Sequence, residues 1–391
     1  MASFDERYFD AGINRVGTDC EKWDGMREET GDSAMIPMWV ADLDFPSPPA
    51  IREALSKVLD RGTWGYTMSG RKDHEALCAF WKRRHGITID PDWVIMSPCV
   101  VTGMRLAVRA LTKPGEGVLI HPPVYGPFFR AVRDSGRRLV ESPITQDADS
   151  VWRMDFADMD AKLAAGEASA VLFCSPHNPC GRAWTEEELT RLAALCKKYH
   201  APLIVDEIHA DFVFAPAKHH CILGIPGAED AVMLCAASKT FNIAGLQQSS
   251  IVCRNEAYRE AIEREKNACG AVCGNAFALA ATRAAYTECD EWLDGLLAYL
   301  TGNRDAVYAF AEQNWPKVKV TPLEATYLMW LDCRALALSQ EELLARIAAA
   351  HVKVNDGLFF GEAGRGFIRL NIGCPRAQLT EALERLREVL R

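Results

Sequence analysis

Between Val94 and Cys253 the sequence repeats one pattern: a short run that is apolar throughout but for Ser250 in the last, one or two polar residues, then a stretch that is apolar along one side only. The apolar runs fall at residues 94–96, 118–120, 170–174, 203–205, 232–235 and 250–253. A segment that is apolar at every position suits a strand covered on both faces, as in a parallel sheet flanked by helices. The stretches between the runs read as those helices, at 100–111 and around 128–134. A third has its start marked by a capping box, Thr185 with Glu188 three residues on. There Leu189, Leu192, Cys196 and Tyr199 recur on one helical face, and Pro202 closes the helix. Such alternation predicts an α/β fold built on a mostly parallel sheet.

The last third changes character. Long helical stretches cover residues 275–314, followed by a strand at 327–331, a helix at 339–351, a strand at 366–371 and a final helix. Leu379, Leu383, Leu386 and Leu390 make the apolar stripe of that final helix. The pattern predicts a second, smaller α+β domain. The proline-rich stretch at 45–49 is the natural place for the chain to cross between the two parts.

Charge and cysteine usage narrow the function class. The formal net charge of −9 argues against a dedicated nucleic-acid binder, which carries a basic face. Lys82, Arg83, Arg84 and His85 form the densest basic segment and read as a solvated helix end. No apolar run reaches the roughly 18 residues of a membrane helix. Residues 1–10 are charged from the start and lack the layout of a secretory signal, so a cytoplasmic protein is expected. Fourteen cysteines are scattered through apolar segments, and Cys269 and Cys273 are one residue too far apart for a Cys-x-x-Cys pair. Only His219, His220 and Cys221 resemble a metal group, and zinc needs about four converging ligands, so no metal site is expected.

Ligands of open α/β sheets bind beyond the carboxyl ends of the strands. Four polar groups stand at such ends. Asp206 follows the run 203–205, where a buried carboxylate needs a cationic partner. Lys239 follows 232–235 among small residues, a setting for a desolvated amine that forms a Schiff base. Asn178 sits in a turn fixed by Pro176, Pro179 and Gly181. Arg369 lies inside an otherwise apolar strand and needs an anion. Taken singly, each also suits a cap, a surface charge, a plain turn or a structural ion pair. Together, an imine-forming lysine, a carboxylate for a pyridinium nitrogen and an arginine for a carboxylate are what pyridoxal-phosphate chemistry on amino acids requires.

These residues, in this order and spacing, resemble the fold-type-I pyridoxal-phosphate enzymes of the class I/II aminotransferase group. Within it the chain is similar to the MalY/PatB-type cystathionine β-lyases, also called cysteine–sulfur lyases. The segments that carry the likeness are Lys22-Trp23-Asp24, Ala41-Asp42-Leu43-Asp44-Phe45, Trp64-Gly65-Tyr66 and Asp206-Glu207-Ile208-His209. Ser238-Lys239-Thr240-Phe241-Asn242 and Gly364-Arg365-Gly366-Phe367-Ile368-Arg369-Leu370-Asn371 complete it. The resemblance implies a large, mostly parallel sheet domain of the seven-stranded type over residues 46–287. It implies a small domain that joins 1–45 to 288–391.

It also implies site roles. Lys239 would hold pyridoxal 5'-phosphate and then act as base at Cα, and Asp206 would pair with the ring nitrogen. Tyr125 would stack on the ring, and Asn178 would bond the ring hydroxyl oxygen. His209 stands where many aminotransferases place a tyrosine near that oxygen. The backbone at Val100 and Val101, with Ser238 and Thr240, would bind the phosphate. Tyr66 would reach it from the other subunit of a homodimer with shared sites. Arg369, together with Asn178, would bind the substrate, Arg369 through its α-carboxylate. Two positions depart from the aminotransferase pattern: Gln247 replaces a phosphate-binding arginine, and Ala236 stands where serine is common. Both weaken the aminotransferase reading, while the lyase branch tolerates a residue other than that arginine. The resemblance to that branch implies α,β-elimination from a sulfur amino acid giving a thiol or sulfide, pyruvate and ammonia. The alternatives are a class I/II aminotransferase and a regulatory binding protein on the same fold.

Overall fold

The computed structural model describes residues 4–271 and 274–391, which leaves Cys273 outside the described residues. Seven strands join into one sheet: β1 (Val94–Ser97), β2 (Gly117–Ile120), β3 (Arg138–Glu141), β4 (Ala170–Cys174), β5 (Leu203–Asp206), β6 (Val232–Cys235) and β7 (Ser249–Cys253). Their order is β1-β7-β6-β5-β4-β2-β3. Neighbours from β3 across to β6 pair in parallel, and β7 runs antiparallel to both β6 and β1. Every residue of these strands is buried except in β3. That strand pairs with β2 alone, at the sheet edge, and exposes Arg138 and Glu141. A half-solvated edge strand has no continuous apolar run, so it leaves no strong mark in the sequence.

The helices form where the apolar spacing puts them. Val100–Leu111 and Pro127–Arg133 follow β1 and β2. In Glu186–Lys198, Thr185 Oγ1 accepts from the Glu188 N–H while the Glu188 carboxylate accepts from the Thr185 N–H, the reciprocal cap expected there. Cys289 divides the 275–314 stretch into two helices, Ala276–Glu288 and Asp290–Asn314.

A second, antiparallel sheet follows, made of β8 (Lys319–Val320), β9 (Leu328–Asp332), β10 (Asn355–Asp356) and β11 (Phe367–Asn371) in the order β8-β9-β11-β10. The N-terminal segment reaches this part of the molecule, where Ile36–Pro37 pairs with Val352–Lys353. The final helix, Arg376–Leu386, buries Leu379, Leu383 and Leu386.

The basic segment at 82–85 is a helix end on which Lys82 and Arg83 are exposed, but its charges are not all free. Arg83 and Arg84 pair with Asp290 and Asp294, and the His85 ring is turned inward onto Asp211. The helix Arg71–His85 packs against Ala276–Glu288, which brings the acidic start of the next helix within reach.

Candidate active site

The carboxyl ends of the parallel strands open onto a cavity of about 310 Å³. Asp206 enters it as the last residue of β5, and Lys239 from the turn Ala237–Thr240 that follows β6. Asn178 comes from the turn after β4, and Val100 and Val101 from the helix start after β1. Tyr125, His209 and Ser238 complete the expected residues along its wall.

The Asn178 turn is tied down from the connection between β8 and β9. Gly181 has φ +66°, and its carbonyl accepts from the Glu324 and Ala325 N–H groups, each at 2.9 Å. A side chain at Gly181 would begin 2.5 Å from Leu323 Cδ1, so glycine serves both the left-handed backbone and the close approach. The Asn178 carbonyl accepts from the Tyr125 N–H at 3.1 Å, which sets the tyrosine beside it.

Arg369 projects from β11 and is buried, yet no carboxylate faces it among the described residues. Nη1 donates to Asn178 Oδ1 at 2.9 Å, and Nη2 donates to the Trp39 carbonyl at 2.9 Å and to Asn355 Oδ1. The Phe360 ring lies under the guanidinium at 4.8 Å, and Nε has no partner among the described residues. Burial pushes this group down to about 10. Because Asn178 gives its oxygen to Arg369, its amide nitrogen is left to donate elsewhere.

The other charges are perturbed by the same desolvation. Burial pushes the Asp206 carboxyl up to about 7, against one N–H bond from Ile208 at 3.0 Å and the attraction of Lys239. Burial also lowers the Lys239 amine, with Arg369 adding to the shift while Asp42 and Asp206 oppose it. His209 is pushed down to about 3 by burial and by the nearby Lys239 and Arg369, so its ring is neutral at pH 7. The helix Val100–Leu111 begins at the cavity with no side-chain cap, leaving its first N–H groups and the positive end of its dipole facing the space.

Three of the expected residues do not line this cavity: Arg369, which meets it only through its bond to Asn178, Thr240, and Tyr66, which is expected to serve the other subunit's site. Thr240 is fully buried behind the turn and donates its hydroxyl to Asp211 Oδ2 at 2.6 Å, so it does not reach the cavity wall. Tyr66 is fully exposed on the surface and does not line the cavity of its own chain. Among the described residues no three metal-ligating side chains converge. His219 bonds Glu207 Oε2 at 2.9 Å, while the Cys221 thiol turns to Met233 Sδ.

Several groups, most of them within the segments that carry the family likeness, have roles that the sequence did not assign. The Ala41 carbonyl accepts from Lys239 Nζ at 2.7 Å and from the Tyr327 hydroxyl at 3.0 Å. Asn242 binds Leu43 through both ends of its amide and also donates to the Phe45 carbonyl, fixing residues 41–45 against the lysine turn. Below them Lys22, wholly buried, meets Asp44 at 2.8 Å, and Arg15 meets Asp42 at 2.7 Å. The Lys22-Trp23-Asp24 and Ala41–Phe45 segments therefore brace the site rather than contribute its reacting groups. Glu21 lines the cavity as well, as does Gln247.

Comparison with known proteins agrees with this geometry. The family model "Aminotransferase class I and II" matches residues 34–386. Cystathionine beta-lyase PatB of Bacillus subtilis (strain 168) is 39% identical over 98% of this chain and 99% of its own. Protein MalY of Escherichia coli (strain K12) is 34% identical over 98% of each chain. The crystal structure of cystalysin from Treponema denticola, which contains a pyridoxal 5'-phosphate cofactor, superposes with a TM-score of 0.94 at 34% identity over 98% of each chain. With the family model spanning most of its length and the fold shared from end to end, the chain belongs to the aminotransferase class I and II family.

Proposed function

We propose that this chain is a pyridoxal-phosphate-dependent carbon–sulfur lyase of the cystathionine β-lyase type. It cleaves the Cβ–S bond of L-cystathionine or another cysteine S-conjugate, giving a thiol, pyruvate and ammonia. The observation that carries the reading is Arg369: a buried guanidinium with no counter-ion among the described residues, hydrogen-bonded to Asn178 of the cavity wall and near enough to Lys239 to help lower its amine. Such a group is costly until an anion arrives, and the α-carboxylate of an amino acid supplies one.

The residues present fit the cofactor. Asp206 is a buried carboxylate with a single N–H bond, which a protonated ring nitrogen would satisfy. The Asn178 amide nitrogen is free to donate to a ring hydroxyl oxygen, with neutral His209 on the same wall. The Tyr125 ring stands against the cavity to cover a ring face. Val100 and Val101 N–H groups and the Ser238 hydroxyl suit a phosphate. Thr240 is not part of that cradle, because its hydroxyl is taken by Asp211. Bound pyridoxal phosphate supplies an electron sink for the pair left at the substrate Cα.

The chain's own groups do the rest. Arg369 and Asn178 orient the amino acid by its carboxylate. Lys239, favoured as a neutral amine by its burial, takes the Cα proton, and the electron pair then expels the thiolate from Cβ. One proton is returned to sulfur, and water completes the hydrolysis to pyruvate and ammonia. The cavity wall carries Gln247 and no arginine, which suits this chemistry better than transamination of dicarboxylic amino acids.

The working unit in this reading is a homodimer with Tyr66 completing the partner's phosphate site. Its support is an exposed apolar strip, with Leu59, Trp64, Tyr66 and Met68 between 56% and 111% exposed. A cytoplasmic setting fits the thirteen free cysteines among the described residues, and no described helix is long and apolar enough to cross a membrane. The test is incubation of the purified protein with L-cystathionine and no keto acid. Catalytic release of pyruvate and a thiol is expected. Half-transamination without thiol release would replace this reading with an aminotransferase.

A further inference from the structure

Asp206 and Lys239, the two residues assigned to opposite ends of the cofactor, are each followed by a residue bonded into one layer behind the cavity. Glu207 is fully buried, and its carboxylate accepts from the Ile222 N–H at 2.7 Å and pairs with His219 Nε2 at 2.9 Å. Thr240 donates to Asp211 Oδ2 at 2.6 Å, and the other oxygen of Asp211 pairs with His85 Nε2 at 2.8 Å. The His85 and His219 rings meet edge to face at 5.4 Å, with the Trp81 ring 4.4 Å from His85. None of these side chains lines the cavity.

Two buried carboxylate–imidazole pairs are costly to place in a core and often no better than apolar packing for stability alone. Their geometry offers another role. A lysine side chain has four rotatable bonds, so where its amine points depends on how firmly the backbone beneath it is held. The turn Ala237–Thr240 is one helical turn long and has no side-chain cap. Thr240 is its last residue, adjacent to Lys239, and its hydroxyl is clamped by a carboxylate that is itself held by a histidine from the distant helix Arg71–His85.

We propose that Asp211, fixed by His85, is a positioning residue for Lys239, acting through the Thr240 hydroxyl to hold the amine at the place where it must meet the cofactor aldehyde. This rests on the reading of Lys239 as the cofactor-bearing lysine. Lys239 itself faces Asp206, Asp42, Arg369 and Glu21, and Asp211 faces His85, Thr240 and Arg84. None of the substitutions below changes the groups that face Lys239.

The test compares Thr240→Val, Thr240→Ser and Asp211→Asn with the wild type, each loaded with pyridoxal phosphate. Three quantities are read: Tm, retention of the cofactor on dialysis, and the pH midpoint of the Schiff-base absorbance band. Thr240→Val and Asp211→Asn are expected to weaken cofactor retention about tenfold or more, as for loss of a hydrogen bond to a charged group. Their absorbance midpoint moves as well, and Thr240→Ser, which keeps the hydroxyl, behaves as wild type. A lowered Tm with unchanged retention and midpoint would overturn the proposal and leave the layer a structural pin. Thr240→Ser as impaired as Thr240→Val would overturn it too. Should Asp211→Asn not fold, the valine and serine pair decides alone. A wild type that takes up no pyridoxal phosphate would overturn the functional reading together with this one, whereas a yellow wild type with unaltered variants overturns only this one.

Discussion

Replacing Asp206 by asparagine in the cofactor-free protein should stabilise it at neutral and alkaline pH. Its carboxyl titrates at about 7 in the fold against an ordinary 3.8, a difference of about three pH units. At about 1.4 kcal/mol per unit, keeping this carboxylate ionised in the empty site costs on the order of 4 kcal/mol at pH 8. The sign follows from proton uptake. Between pH 3.8 and about 7 the folded protein holds a proton that the unfolded chain has released, so the cost grows as pH rises through that window and levels off above it. From pH 5 to pH 8 the linkage relation gives a change of roughly 2.5 kcal/mol for this one group. Other groups titrate over the same range, His209 among them in the opposite direction, but they are common to both proteins and largely cancel in the difference. The measurement is denaturant unfolding of cofactor-free wild type and Asp206→Asn at several pH values. Their stability difference should widen in favour of the variant from pH 5 to pH 8. On adding pyridoxal phosphate the order should reverse, because only the carboxylate can hold the ring N–H as an ion pair. A difference that is flat with pH would refute the claim that burial, uncompensated by a cation, governs this residue.

Three further outcomes follow from the geometry. Arg369→Met should leave the cofactor-free protein no less stable, since its guanidinium is disfavoured by burial below about pH 10. The same change should raise KM for the amino acid on the order of 100-fold, and an unchanged KM would remove Arg369 from the carboxylate site. Gly181→Ala should cost about 1–3 kcal/mol through its left-handed φ and the contact with Leu323, seen as a lower Tm; an unaltered Tm would contradict the close approach. Mixing Lys239→Ala with Tyr66→Ala protein should restore about a quarter of wild-type activity, because half of randomly mixed dimers carry one intact shared site. No recovery on mixing would argue that Tyr66 serves no partner site.

Much of the large sheet was legible because parallel strands buried on both faces must be apolar throughout, and six of its seven strands carry such a run. The exception, Arg138–Glu141, is solvated on one side and hides among ordinary surface residues. Lys239, Asp206 and Asn178 were legible for a related reason. Each follows a buried strand, where a polar side chain has no cheap place unless a ligand or partner meets it. Thr240 was misread because the sequence places it beside Lys239 but does not say which way a helical turn points; the structure turns its hydroxyl away from the cavity and onto Asp211. His85 was misread within a run of solvated charges, since only the packing of its helix brings it against that same carboxylate.

The sequence by itself determined the class of fold, the order of the strands along the chain and the chemical kinds of group at their ends. Local covalent order and hydrophobic periodicity suffice for that. Only the tertiary structure decided what those groups touch. Lys239 bonds a carbonyl 198 residues away, and Arg369 bonds an amide 191 residues away. Whether a buried charge is compensated depends on such through-space partners. That Arg369 has hydrogen bonds but no counter-ion among the described residues, and that a buried layer stands behind Lys239, are properties of the folded chain alone.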